Sequence, residues 1–262
     1  MISEPPRHSR HELLRMIGPE GQERIRRSRV FVAGLGALGS LVAILLARAG
    51  VGFLRIADVD KPELHNLHRQ ILFDEADVQR GLSKAQVAEN KLRAANSEIE
   101  IEAITAAIGP ENVEELTRDV DVVVDALDNI RTRYVINDTI LARGIPYVFG
   151  GAVEASGNVM TIIPGKTPCL RCLWPDPAAV ESHPTAARVG VLSSAAAVVA
   201  AIEVTEALKI LVGKEQEALC GLLVMDLWNY RFQTAVVQPD PSCICRRVCR
   251  LPGNSFTGSG SL

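Results

Sequence analysis

Val30-Phe31-Val32-Ala33 is a short apolar run that stops at glycine, and Leu38 to Ala49 follows as an almost uniformly apolar stretch ended by Gly50. That pattern predicts a buried strand, a glycine loop and a helix covered on most sides. The alternation then repeats. Phe53 to Asp58 reads as a second strand, Ser83 caps a helix running to about Asn96, and Ile99 to Thr105 is a third strand. A short helix entered at Pro110, a strand at Val120 to Asp125, a helix at Arg131 to Arg143 closed by Gly144 and Pro146, and a strand at Tyr147 to Gly150 complete the regular part. Past Gly150 the rhythm loosens. Asn158 to Pro164 reads as a strand, Leu173 to Arg188 as a Pro/Ala-rich irregular crossing, Val191 to Val212 as a long helix, and Leu222 to Asp226 with Phe232 to Val237 as a late strand pair.

Strands alternating with helices predict an α/β, Rossmann-like doubly wound fold with a mostly parallel sheet, here with a C-terminal antiparallel extension. An Arg-rich helical stretch through Leu13, Leu14 and Ile17 precedes it, broken at Gly18-Pro19 and resuming from Gln22 to Arg27. Val59 to Asp77 is polar, contains a proline and has no sustained period, so it is expected to be a long functional loop. Pro252 to Leu262 is rich in Gly and Ser and reads as a disordered tail.

The chain has 262 residues, enough for one large domain with an interior site. With 28 Lys+Arg against 31 Asp+Glu, no basic field points to a nucleic-acid partner. The longest apolar stretch, Val189 to Ile202, is followed closely by Glu203 and Glu206 and falls short of the ~20 residues of a membrane span. The N-terminal ten residues lack an apolar segment, so the cytoplasm is expected, and the six cysteines read as thiols or metal ligands before disulfides. Cys220, isolated before a strand, is expected to be a buried core thiol.

The candidate chemistry begins at Gly34-Leu35-Gly36-Ala37-Leu38-Gly39, which fits G-x-G-x-x-G between strand and helix. Backbone N–H groups at the helix N-terminus meet phosphates in such a unit, and Asp58, at the end of the second strand, stands where an acidic residue accepts ribose hydroxyls. The motif alone fits NAD, FAD, S-adenosylmethionine or ATP equally, so an NAD-dependent oxidoreductase is the alternative from another class. Lys84 alone reads as well as a solvated lysine beside a cap, and Asp128-Asn129 alone as a helix cap.

What narrows the choice is an ordered series: Arg7-His-Ser-Arg10, Glu20-Gly-Gln22, the Gly34 to Gly39 loop, Asp58 and Asp60, Asn66 to Gln70, Lys84, Asp125-Ala-Leu-Asp128-Asn129 with Arg133, Pro168-Cys-Leu-Arg-Cys172, and Thr205-Glu206-Ala-Leu-Lys209. With these, the sequence resembles the E1-like activating superfamily, specifically the bacterial MoeB/ThiF/HesA adenylyltransferases, over about Arg7 to Cys245. The resemblance implies a single ThiF-type adenylation domain over 1–250 with an N-terminal helical arm, followed by the 251–262 tail. It implies ATP and Mg²⁺ as cofactors and, as substrate, the C-terminal carboxylate of a small ubiquitin-like sulfur-carrier protein, or of a peptide in natural-product biosynthesis. Asp58 would hold the ribose, Arg69 and Lys84 the phosphates, and Asp128 the Mg²⁺. Gly34, Gly36, Gly39, Asp60, Asn66, Gln70, Asn129 and Arg133 would complete the nucleotide site. Arg10 matches an arginine that reaches into the partner subunit's site, which implies a homodimer. These roles make chemical sense: a carboxylate attacking the α-phosphate brings two anions together, and cations must converge there.

Cys169-x-x-Cys172 pairs with cysteines near the chain end as a structural Zn²⁺ site. The resemblance implies a second C-x-x-C, but here Cys243-Ile-Cys245 is followed by Cys249, so the fourth ligand beside Cys169, Cys172 and Cys243 is either Cys245 or Cys249. Many relatives carry a cysteine in the crossover before the G-V-L element; here Ala186 stands at that position, beside Thr185, with His183 nearby. The expected activity therefore ends at the acyl-adenylate.

Overall fold

In the computed structural model residues 5–176 and 185–245 are described; His183, Cys249 and the 251–262 tail lie outside them. One eight-stranded sheet runs in the order β3-β2-β1-β4-β5-β6-β7-β8. Its strands are β1 (Arg29–Ala33), β2 (Phe53–Ala57), β3 (Glu100–Ile104), β4 (Val122–Asp125), β5 (Tyr147–Val153), β6 (Ser156–Ile162), β7 (Leu222–Asp226) and β8 (Arg231–Ala235). The pairings from β3 to β5 are parallel, and those from β5 to β8 antiparallel. The expected fold class holds, with the extension formed by β6 to β8.

The early strands read as continuous apolar runs because helices cover both faces. Val30, Val32, Leu54, Ile56, Val124 and Val148 join the core that includes Val42 and Leu46 of helix Gly39–Ala49, Ala88 and Leu92 of helix Lys84–Ala95, and Val199 and Ala200 of helix Ser193–Leu211. Phe31, Val123, Tyr147 and Phe149 point the other way, to Tyr134, Ile136 and Ile140 of helix Ile130–Arg143. Strand order reverses between β1 and its neighbours β2 and β4, and the crevice outside the carboxyl ends at such a switch point is where α/β sheets bind ligands.

Three expectations are corrected. Gly18-Pro19 starts a helix instead of breaking one: Gly18–Arg27 is helical with the proline in its first turn, where a missing N–H costs nothing, and the preceding helix is only Ser9–Glu12. The 59–77 stretch is not all loop. It holds a 3-10 turn at Leu64–Asn66 and ends in a helix, Glu75–Arg80, started by a reciprocal cap between Asp74 and Asp77. Cys220 is exposed, not buried, because it sits in the turn that leads into the outer antiparallel strands. No described helix is long and apolar enough to cross a membrane.

Candidate active site

Each glycine of the loop has its own reason. Gly34 has φ +91, and a Cβ there would stand 2.9 Å from the Ala126 carbonyl oxygen; a Cβ on Gly39 would stand 2.0 Å from the Gly34 carbonyl oxygen. Both are required by the turn itself. Gly36 differs. A Cβ there meets nothing nearer than Gln70 Nε2 at 3.9 Å, so no protein atom demands glycine, and the space above the backbone is left for a group from outside. The first turn of helix Gly39–Ala49 begins at this point, and its N–H groups and dipole favour an anion there.

Asp58 braces the loop from the end of β2. Its Oδ2 accepts from Leu35 N at 2.7 Å and its Oδ1 from Asp60 N at 2.8 Å, while lone pairs remain for another donor. Burial pushes its carboxyl above the ordinary range, and the charge of Lys84 pulls back against that shift. Lys84 is itself buried and donates from Nζ to Asp60 Oδ2 at 3.1 Å. A lysine that is 5% exposed at the first position of a helix is not a solvated surface group, so the bland reading of Lys84 fails. Ser83 caps that helix, in a reciprocal box with Gln86.

The loop after β2 brings Asn66 and Gln70 inside, at 6% and 4% exposure. Gln70 Oε1 is buried without a hydrogen-bond partner, beside the open space over Gly36. Such an orphan acceptor is costly unless a ligand or water meets it. Arg69, half-buried, donates to its own loop at His65 O, 2.8 Å away.

On the far side of the loop, Asp125 ends β4 and accepts from Leu127 N at 2.8 Å. Arg133 Nε stands 3.0 Å from Asp125 Oδ2, and its Nη2 donates to Gly150 O at 2.7 Å and to Leu127 O. Tyr147 donates its hydroxyl to the same Asp125 oxygen. Arg133 therefore acts on the protein, fixing the segment that carries Asp128, whose side chain is exposed at the crevice. Asn129 Oδ1 caps helix Ile130–Arg143 by accepting from Thr132 N at 2.9 Å, the capping role its residue type allowed.

Two carboxylates to which the sequence reading gave no role lie behind this wall. Glu206 is buried and accepts from Thr161 Oγ1 at 2.7 Å and Leu219 N at 2.6 Å, which fastens helix Ser193–Leu211 to β6. Glu203, a turn earlier, is fully buried, and neither oxygen has a hydrogen-bond partner. A Cβ on Gly150 would stand 2.4 Å from its carboxyl carbon. The signal was visible: two acids three apart in an otherwise Ala/Val-rich helix share one face.

Arg10 is exposed on the N-terminal helix and does not approach this chain's own glycine loop. Its neighbour His8 lies against Gly50, at the opposite end of helix Gly39–Ala49. The helix has eleven residues, so about 16 Å separates its ends. A surface hollow of about 240 Å³ lined by Arg55, Glu102 and Arg118 contains none of the site residues, and Arg55 there is already bonded to Glu102, Leu116 O and Arg118 O.

The Sγ atoms of Cys169, Cys172, Cys243 and Cys245 all lie within 4.8 Å of one another. Cys169 and Cys243 are 3.4 Å apart, and Cys172 and Cys245 3.5 Å. Tetrahedral Zn–S bonds of about 2.3 Å imply sulfurs roughly 3.8 Å apart, so the cluster fits zinc. Asp240 N donates to Cys172 Sγ at 3.4 Å, the outer-shell contact such a site uses. Without a cation, burial pushes the Cys169 thiol up to about 12 and Cys245 higher still. Neutral thiols crowded this way are stabilised as thiolates by a divalent ion. Among the described residues Cys245 stands in the fourth place; Cys249 lies outside them.

Comparison with known proteins agrees with this geometry. A sulfur carrier protein ThiS adenylyltransferase of Bacillus subtilis is 42% identical over 223 residues, which are 85% of this chain and 65% of that one, so the chain spans just under two thirds of that relative. A sulfur carrier protein adenylyltransferase of Thermus thermophilus is 39% identical over 90% of this chain and 89% of its own length. The SAMP-activating enzyme E1 of Haloferax volcanii is 40% identical over 90% and 87%. Among solved structures, E. coli MccB with ATP superposes with a TM-score of 0.80 at 23% identity, over 93% of this chain and 74% of that one, a likeness of fold. The sequence model of the ThiF family matches residues 8–246, and with these relatives it establishes that the chain belongs to the ThiF family, within the E1-like activating superfamily.

Proposed function

We propose that this protein is an adenylyltransferase that activates the C-terminal carboxylate of a small ubiquitin-like sulfur-carrier protein with ATP. The observation that carries the reading is the conjunction, at one switch point, of the open Gly36 backbone, the orphan Gln70 acceptor and the buried Lys84 ammonium. The identity to relatives named for that activity supports it. A dinucleotide-dependent oxidoreductase would use the glycine loop and Asp58 but gives no use for a buried Lys84.

In this reading the helix N-terminus and Lys84 hold phosphate oxygens, and Asp58 offers its remaining lone pairs to the ribose. Arg69 swings from His65 O to the phosphates. The carboxylate oxygen forms a bond to the α-phosphorus, the bond to the pyrophosphate oxygen breaks, and pyrophosphate leaves. Two unit charges about 4 Å apart repel by roughly 4 kcal/mol at an effective dielectric of about 20, and the cations offset that repulsion. Asp128, exposed at the crevice, would hold Mg²⁺ against the departing pyrophosphate. Arg10 would serve the nucleotide site of a second copy, since its own loop lies at the other end of a helix, and this makes the active form a homodimer.

One observation favours a second substrate. Ala186 begins a short helix, Ala186–Val189, where the resemblance places a thiol in many relatives, so a peptide carboxylate that needs no sulfur transfer is the alternative. ATP–pyrophosphate exchange separates the two: a Gly-Gly-terminated β-grasp protein should support exchange and free peptides should not. Lys84→Ala, Arg69→Ala and Asp128→Ala should each reduce exchange at least a hundredfold while the fold melts normally. Exchange at the parent rate in the Lys84 and Arg69 variants would remove the phosphate clamp.

A further inference from the structure

Two motifs of which only Arg10 has a place in the chemistry above, Arg7-His-Ser-Arg10 and Glu20-Gly-Gln22, are joined in the structure. Gln22 is 3% exposed, and its Nε2 donates to Ala49 O at 2.9 Å. A carbonyl only accepts, so this bond fixes the amide and turns Oε1 toward His11, whose Nδ1 lies 3.0 Å away. Oε1 also only accepts, so the proton of His11 sits on Nδ1. Ala49 is the last residue of the helix that begins at the glycine loop.

Two further contacts hold the rest of the arm, one of them a packing contact and one polar. His8 covers Gly50, where a Cβ would come within 2.6 Å of its ring, and Arg7 reaches Ala95 O at 3.3 Å and Glu98 at 3.4 Å. Of the apolar side chains in the arm, Leu13 and Met16 face outward, at 74% and 59% exposure, while Ile17 packs against the core. Four residues of helix with no fully buried member have little packing to place them. These bonds add to that packing, and among them the Gln22 bond to Ala49 is the buried one.

We propose that Gln22, acting through His11, is the positioning residue for Arg10, setting the arm so that Arg10 enters the nucleotide site of a second copy. The inference rests on the reading that Arg10 acts between subunits. It means that one helix, Gly39–Ala49, carries a nucleotide loop at its start and, at its end, the anchor for the arginine that serves the other subunit.

The test is MgATP binding by calorimetry to the full-length protein and to Arg10→Ala, His11→Ala, Gln22→Leu and the doubles with Arg10→Ala. His11→Ala keeps the buried glutamine and so guards against a folding defect in Gln22→Leu. Each of the two should weaken MgATP by about fivefold to tenfold, the weight of one hydrogen bond. Added to Arg10→Ala, neither should weaken it further, which a merely structural role would not predict. In mixed dimers of Lys84→Ala with Arg10→Ala subunits, only one site keeps both its clamp and an arginine; His11→Ala should harm it from the Lys84→Ala subunit alone. Parent affinity in His11→Ala, or losses that add to that of Arg10→Ala, overturns the positioning role while the role of Arg10 stands. Parent affinity in Arg10→Ala removes the intersubunit reading and this inference with it.

Discussion

Arg133 and Asp125 form an ion pair closed off from solvent, Nε to Oδ2 at 3.0 Å, with the aspartate side chain 0% and the arginine side chain 11% exposed. The guanidinium also lies over the Phe149 ring, 4.6 Å from its centroid, and its Nη2 joins two chain segments through the carbonyls of Leu127 and Gly150. The pair ties the turn bearing Asp128 to β5. Removing one partner leaves a buried charge without compensation, which costs about 3–5 kcal/mol. Arg133→Ala should therefore lower the melting temperature by many degrees. Arg133→Lys keeps the charge but loses the fork that spans both carbonyls, so it should retain most stability and still lose exchange activity. Calorimetric melting beside the exchange assay checks this, and full activity in Arg133→Lys would reduce the arginine to a core charge.

Glu203 gives a pH dependence whose sign is fixed. Burial, then the charge of Asp125, pushes its carboxyl well above the ordinary 4.5, with Arg133 acting in the opposite direction. The folded chain holds a proton there that the unfolded chain releases, so between 4.5 and the raised value this group makes stability fall as pH rises. The slope for one such group is about 1.4 kcal/mol per pH unit. Glu203→Gln removes it. The difference in unfolding free energy between variant and parent should therefore grow in favour of the variant as pH rises above 4.5, measured by urea titration at each pH. Parallel profiles would show that Glu203 is ionised in the folded state.

Much of this was legible in the chain because buried parallel strands leave unbroken apolar runs: Val30 to Ala33 and Val122 to Asp125 fall close to where the pattern put them. The glycine loop was legible as a loop, yet only coordinates separate Gly34 and Gly39, which the turn requires, from Gly36, which it does not. Burial decided the rest. Lys84 and Arg69 looked alike in sequence, but one is sealed against Asp60 and the other folds back on its own loop. Arg133 and Asn129 read as ligands because they lie in a motif; the bonds they make to Asp125, Gly150 and Thr132 could not be read from it. The Glu75–Arg80 helix escaped because its six residues give too few turns for a period to show.

Zinc should be present at about one ion per chain. Cys172→Ser and Cys245→Ser should each lose it and lower thermal stability, whereas Cys249→Ser should keep both metal and melting temperature, because four sulfurs within 4.8 Å already close the tetrahedron. A structural zinc contributes ~10 kcal/mol or more in small peptides. A domain with its own extensive core should lose less, so the substituted proteins should remain folded at room temperature. Elemental analysis of each freshly purified variant decides it, and metal retained by Cys245→Ser but lost by Cys249→Ser would exchange the two ligands.

The last expectation follows from where the sulfurs are. Four of the six cysteines are committed to one cluster, Ala186 offers no nucleophile at the head of its helix, and Cys220 stands exposed in the turn before β7. An acyl-adenylate is a mixed anhydride reactive enough for an external nucleophile, so chemistry at the nucleotide site does not need a thiol on the protein. After incubation with ATP and a Gly-Gly-terminated carrier, intact-mass measurement should show adenylated carrier and unmodified enzyme. Cys220→Ser and Cys249→Ser should both leave the rate of adenylate formation unchanged, since neither sulfur takes part in phosphoryl chemistry. An adduct released by thiols and abolished by one of those substitutions would instead place a covalent step at that cysteine, and would assign to it the transfer role that Ala186 lacks.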